Sequence, residues 1–101
     1  MKFNKLIRDK IPQLIFKSGK TPITHIATKK EYWQKLKHKL QEEVDEFFAS
    51  ESSEELADIL EVIYAICRFK KIPKKSLESF RLKKTKQRGG FKRKIILDKV
   101  K

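Results

Sequence analysis

Residues Leu40–Leu60 read LQEEVDEFFASESSEELADIL, and the fold turns on where the acids of this stretch fall within two apolar-faced helices. At about 100° per residue, Trp33, Leu36, Leu40, Val44 and Phe47 make one stripe on a first helix, with Glu43 inside that stripe and Glu46 on its edge. A second helix repeats the arrangement. Leu56, Ile59, Ile63 and Ile66 make its stripe, Glu55 lies between the directions of Val62 and Ile66, and Asp58 flanks it one turn on. Four acids therefore point at the seam between the helices.

Ionised carboxylates in an apolar seam are costly, and at about 4 Å each pair repels by roughly 4 kcal/mol at an effective dielectric of 20. A divalent cation answers both costs. Acids three positions apart lie about 60° apart around a helix and about 4.5 Å along it, so one ion can touch both. Oxygen ligands without His or Cys spacing favour Mg²⁺ or Mn²⁺ over zinc. Two plainer readings stand beside this one. EExxE is also common on a solvated helix face, and Ser52-Ser53-Glu54-Glu55 matches the S-x-x-E capping box, in which Glu55 only starts a helix.

A length of 101 residues suits a single domain spanning residues 1–101, large enough for one core. The lone Cys67 excludes an intramolecular disulfide framework, and no apolar run is long enough to span a bilayer. Met1-Lys2-Phe3-Asn4-Lys5 leads into charges and not a signal sequence, so the expected location is the cytoplasm, with no membrane partner. Charge is unevenly placed. Residues 1–41 carry 11 Lys/Arg and 2 acids, residues 42–67 carry 9 acids and no Lys/Arg, and residues 68–101 carry 15 Lys/Arg and 2 acids. An acidic centre between basic flanks suits a metal site that receives a polyanion, and the same balance suits nucleic acid.

Asp9 is placed to cap a short helix with Ile11, Leu14 and Ile15 inward, and Gly19 to stop it. Residues 23–27 are β-prone after Pro22 and predict a short strand, with residues 94–98 around Ile95-Ile96-Leu97 as its partner. His25 reads as a surface or satisfied residue. Thr28-Lys29-Lys30-Glu31, a second capping box, opens a long helix to about Ala49, and after a turn over residues 49–53 the next long helix runs to about Phe69. So short a turn predicts an antiparallel pair. A third helix from Ser76 to about Lys86 puts Leu77 and Phe80 inward, Gly89-Gly90 ends it, and Phe91 is expected to return to the core.

Several blocks together resemble one family. FNKLIRDKIP, KLQEEVDEFF, EELADILEVIYAI and RLKKTKQRGGF, in order from Phe3 to Phe91, resemble the MazG-like all-α nucleoside triphosphate pyrophosphohydrolases, in particular their small phosphoribosyl-ATP pyrophosphohydrolase-like branch. The resemblance implies an all-α helical bundle on an antiparallel helix pair, completed by a second chain as a homodimer or higher homo-oligomer. It implies Mg²⁺-dependent hydrolysis of a nucleoside triphosphate between the α and β phosphates, giving a monophosphate and pyrophosphate. Glu43, Glu46, Glu55 and Asp58 are then the metal ligands, and Glu42 an outer partner or base. Two or more ions would neutralise the triphosphate and acidify an attacking water. Lys84 and Arg88, then Arg81, Lys5 and Arg8, then Asn4 and Lys10, are the candidates for holding the nucleotide. KTKQ precedes RGGF where relatives often carry acids, which leaves the substrate open. A biosynthetic phosphoribosyl-ATP hydrolase, a basic nucleic-acid-binding helical module, and a helical interaction protein that keeps its metal as a fold element are the alternatives.

Overall fold

A computed structural model describes residues 4–101; Met1, Lys2 and Phe3, which open the lead-in and the first family-like block, lie outside the described residues. The architecture is all-α: α1 (Ile11–Lys17), α2 (Lys29–Ser50), α3 (Ser53–Phe69) and α4 (Lys74–Arg88). None of these helices is long and apolar enough to cross a membrane.

Helix α2 starts where its cap predicts. Thr28 is extended (φ −66°, ψ 165°), and its hydroxyl accepts from the Glu31 N–H at 3.2 Å, satisfying one of the orphan donors of the first turn. The Glu31 carboxylate pairs with His25 Nε2 at 2.8 Å, so the side-chain oxygen of Glu31 is used across the linker. The helix ends against Glu51, which takes a left-handed conformation (φ 53°, ψ 24°) and donates its N–H to Phe47 O at 2.7 Å.

Only Glu51 and Ser52 separate α2 from α3. So short a connector folds the two helices back on each other. Trp33, near the start of α2, stacks on Phe69 at the end of α3 with ring centroids 5.1 Å apart, and Tyr32 meets the same ring edge-on at 5.8 Å. Leu36, Val62 and Cys67 are the buried apolar residues between them, flanked by half-buried Trp33, Leu40, Val44, Phe47, Ile59, Ile63 and Ile66. The expected stripes hold along most of the pair. Leu56, expected inward, is half exposed because it lies at the connector end, where the seam opens.

The capping box at Ser52 does not close. Ser52 occupies the cap position with extended backbone (φ −87°, ψ 154°), but its hydroxyl makes no cap bond and its N–H donates to Ser50 Oγ at 3.3 Å. Nothing at the helix start claims the Glu55 side chain.

Outside the hairpin the chain departs from several expectations. Helix α1 begins after Lys10 and not on an Asp9 cap, its first N–H bonding back to Arg8 O at 3.0 Å; Gly19, at φ 92°, follows its end. Helix α4 begins two residues before Ser76, because Pro73 supplies the extended residue and its carbonyl accepts from Ser76 and Leu77, at 3.0 and 3.1 Å. It runs to Arg88 and stops at Gly89 (φ 83°), whose N–H donates to Thr85 O at 2.8 Å.

No strand forms among the described residues, so the paired segments at 23–27 and 94–98 are corrected to irregular chain. They exchange no backbone hydrogen bond, and Ile23, Ile26, Ile95, Ile96 and Leu97 all face outward. Two short segments with no third strand and no apolar face to pack on cannot hold a ladder in water. Leu14, Phe80 and Phe91, expected inward, are exposed for a related reason: α1 packs on no other helix and α4 only on α3, so one copy offers them no cover. The result is elongated. The radius of gyration is 18.0 Å, against about 13 Å for a compact chain of this length.

Candidate metal centre

At the connector end of the hairpin, α2 contributes Glu43 and α3 contributes Glu55 and Asp58 from its first two turns. One carboxylate oxygen from each lies within 4.8 Å of the others. Glu43 is buried, its side chain only 9% exposed, while Glu55 and Asp58 are half-buried. Oxygen Oε2 of Glu43 and Oε2 of Glu55 are buried without a hydrogen-bond partner among the described residues. Buried polar atoms in folded proteins are nearly always partnered. Orphaned oxygens on two acids of one group are what an oxygen-seeking cation would satisfy, and three carboxylates without His or Cys match a hard ion.

Cations on the protein hold the outer sides of these acids. Lys39 Nζ is 3.3 Å from Glu43 Oε1 and 3.4 Å from Glu42 Oε2. Arg8 Nη2 donates to Asp58 Oδ1 at 2.8 Å. Residues 4–8 thus lie against the hairpin, also tied by Lys35 Nζ to Asn4 O at 2.7 Å and by Lys5 Nζ to Glu42 Oε1 at 3.1 Å. Burial pushes the Glu43 carboxyl above the usual range, and the neighbouring Glu46 carboxylate adds to the shift, while Lys39 opposes both. Partial burial also acts against ionisation of Glu42, but the Lys5 and Lys39 ammonium groups outweigh it and bring that acid below the usual range.

The structure therefore brings together three of the four expected ligands. Glu46 is exposed and outside the three-acid group, though near enough to Glu43 to resist its ionisation. Glu42 faces Lys5 and Lys39, and a carboxylate held by two ammonium groups is a weak base. Of the expected nucleotide contacts, Arg8 and Lys5 reach these acids, and Asn4 presents its carbonyl to Lys35. Lys10 is exposed at the start of α1. Arg81 pairs with Glu78 on its own helix, and Lys84 and Arg88 are exposed on α4, which does not touch α2. Sequence reasoning missed Lys39. Its signal was present in the Lys39–Glu43 spacing of four, which puts a Lys and a Glu on one helix face.

An open concavity of about 510 Å³ runs along α2 between His38 and Ala49. Glu42 and Glu46 line it with Gln41 and Asp45, whereas Glu43, Glu55 and Asp58 do not, and none of its lining residues carries a buried orphan comparable to Glu43 Oε2 among the described residues.

No family model matches the chain, and no solved structure matches it. An uncharacterized protein of Mycolicibacterium smegmatis is 46% identical to it over 48 residues, which is 48% of this chain. The chain spans about half the length of that curated relative, 49% of it being covered.

Proposed function

We propose that this chain is a MazG-like, Mg²⁺-dependent nucleoside triphosphate pyrophosphohydrolase of the house-cleaning type, cleaving between the α and β phosphates to release a monophosphate and pyrophosphate. The observation that carries the proposal is the orphaned, buried Oε2 of Glu43 beside Glu55 and Asp58. Glu43, Glu55 and Asp58 would hold the ion, with Glu46 joining from the exposed side. A divalent ion there supplies the positive charge that phosphate oxygens need as the anhydride breaks. Around it the chain places its own cations. Arg8, paired with Asp58, and Lys5, paired with Glu42, would meet the outer phosphates, and the basic face of α4 with Lys84 and Arg88 would complete the grip once a second copy closes the bundle. The exposed apolar residues of α1, α4 and the C-terminal segment favour such a homodimer.

The test is pyrophosphate release across a panel of canonical and damaged nucleotides, phosphoribosyl-ATP included, read as phosphate after added inorganic pyrophosphatase. Turnover should require Mg²⁺ and disappear in Asp58→Asn. Turnover that ignores both the ion and that substitution removes the acids from the mechanism.

One observation favours a second reading, a basic nucleic-acid-binding module: residues 78–101 are exposed throughout and carry a strong excess of Lys and Arg. That reading expects affinity for single- or double-stranded nucleic acid to fall steeply with salt and to be indifferent to Glu43→Gln.

A further inference from the structure

On the metal-dependent reading proposed above, we infer that Lys39 is a positioning residue: its ammonium holds one oxygen of Glu43 so that the other is turned toward Glu55 and Asp58, where a divalent cation is taken up. Lys39 Nζ lies 3.3 Å from Glu43 Oε1, and Lys39 is itself only 16% exposed, so this is no loose surface pair. The oxygen it leaves, Oε2, is buried and partnerless on a side chain that is nine-tenths buried. Arg8 likewise holds one oxygen of Asp58, Oδ1, at 2.8 Å.

Each clamp has a separate origin. Lys39 is one helical turn before Glu43 on α2, where the i, i+4 spacing stacks the two side chains; Arg8 arrives from the segment ahead of α1. Partners that grip the outer oxygen of a ligand and fix its orientation are a general feature of metal sites, and their loss commonly weakens metal affinity by about 10- to 100-fold. Lys39 also meets Glu42 Oε2 at 3.4 Å, and Glu42 Oε1 is held by Lys5 at 3.1 Å, so that acid is engaged by two ammonium groups.

The sign of the effect separates positioning from mere charge. A Lys beside a dication repels it, so by Coulomb's law alone deleting the ammonium should tighten metal binding. Positioning demands the opposite.

The experiment is isothermal titration of the full chain with Mn²⁺ and with Mg²⁺, for the wild type and for Lys39→Met, Lys39→Gln and Lys39→Arg, with far-UV circular dichroism and melting recorded on each. Met and Gln should weaken ion binding by about tenfold or more, and Arg should restore most of the loss. If Met does not fold, Gln carries the comparison, since it removes the ammonium and its side chain, one bond shorter, falls short of Glu43 Oε1. Neutral variants that bind the ion as tightly as the wild type, or more tightly, overturn the inference while leaving the metal centre standing. A wild type that takes up neither ion overturns both.

Discussion

Replacing Glu43 by Gln should make the protein more stable and leave it unable to respond to Mg²⁺. The substitution keeps the shape and deletes the charge. In the native side chain one oxygen lies 3.3 Å from Lys39 and the other has no partner, with oxygens of Glu55 and Asp58 within 4.8 Å. At that spacing each pair of ionised carboxylates repels by about 3.5 kcal/mol at an effective dielectric of 20. An amide removes this repulsion, still accepts from Lys39, and turns its NH₂ toward the oxygen that Glu55 leaves unpaired. Lys39 keeps Glu42 as a charged partner at 3.4 Å. Relief of a buried unsatisfied group is worth about 1–3 kcal/mol. At about 4–8 °C per kcal/mol for a domain of this size, Tm in EDTA should rise by about 4 °C or more. Mg²⁺ acts the other way around. At a hundred times its Kd it should stabilise the wild type by about 2.7 kcal/mol and the variant not at all. Differential scanning calorimetry with EDTA and with saturating MgCl₂ reads both effects. A variant that melts below the wild type in EDTA, or that still gains stability from Mg²⁺, refutes the reasoning.

Leu36→Ala should cost about 2–5 kcal/mol by urea denaturation, because Leu36 is the most completely buried side chain of the hairpin and its loss leaves a cavity between α2 and α3. The pH dependence of stability should carry two opposite signatures around the ordinary Glu value of 4.5. Glu43, raised, binds its proton more tightly when folded, so its contribution is full below that value and is lost as pH rises through the folded pKa; Glu43→Gln removes this loss. Glu42, lowered, contributes above that value and loses its contribution as pH falls through its folded pKa, so Glu42→Gln should flatten the acid limb of a denaturation series. Sedimentation equilibrium should return twice the chain mass of 12.0 kDa, and a species of monomer mass at assay concentration would remove the second copy from the proposed site.

The hairpin was legible in the sequence because two signals agreed there. The period of Trp33, Leu36, Leu40, Val44 and Phe47 marks an apolar face, and the Thr28 cap marks where the helix begins. Glu43 stood out for the same reason: an acid in a core direction breaks the pattern that surrounds it. The placing of Glu46 was less well determined, since a residue on the margin of a stripe moves from seam to solvent with a small rotation of its helix. The Lys39–Glu43 spacing of four marks the pair, but which oxygen of Glu43 the ammonium meets is not written in the spacing. Ile23, Ile26 and Ile95-Ile96-Leu97 have β-branched and apolar character, which reads as strand, yet strand formation needs neighbours that this chain does not supply. The inward places expected for Phe80 and Phe91 failed similarly. Hydrophobicity says that a side chain seeks cover, not where the cover comes from.

The two-residue link at Glu51-Ser52 acts as a phase lock. A link of two residues has almost no slack, so a single alanine inserted there should displace the start of α3, and with it Glu55 and Asp58, from Glu43 while both helices persist. Surface loops usually tolerate changes in length; this one sets the timing of a gear.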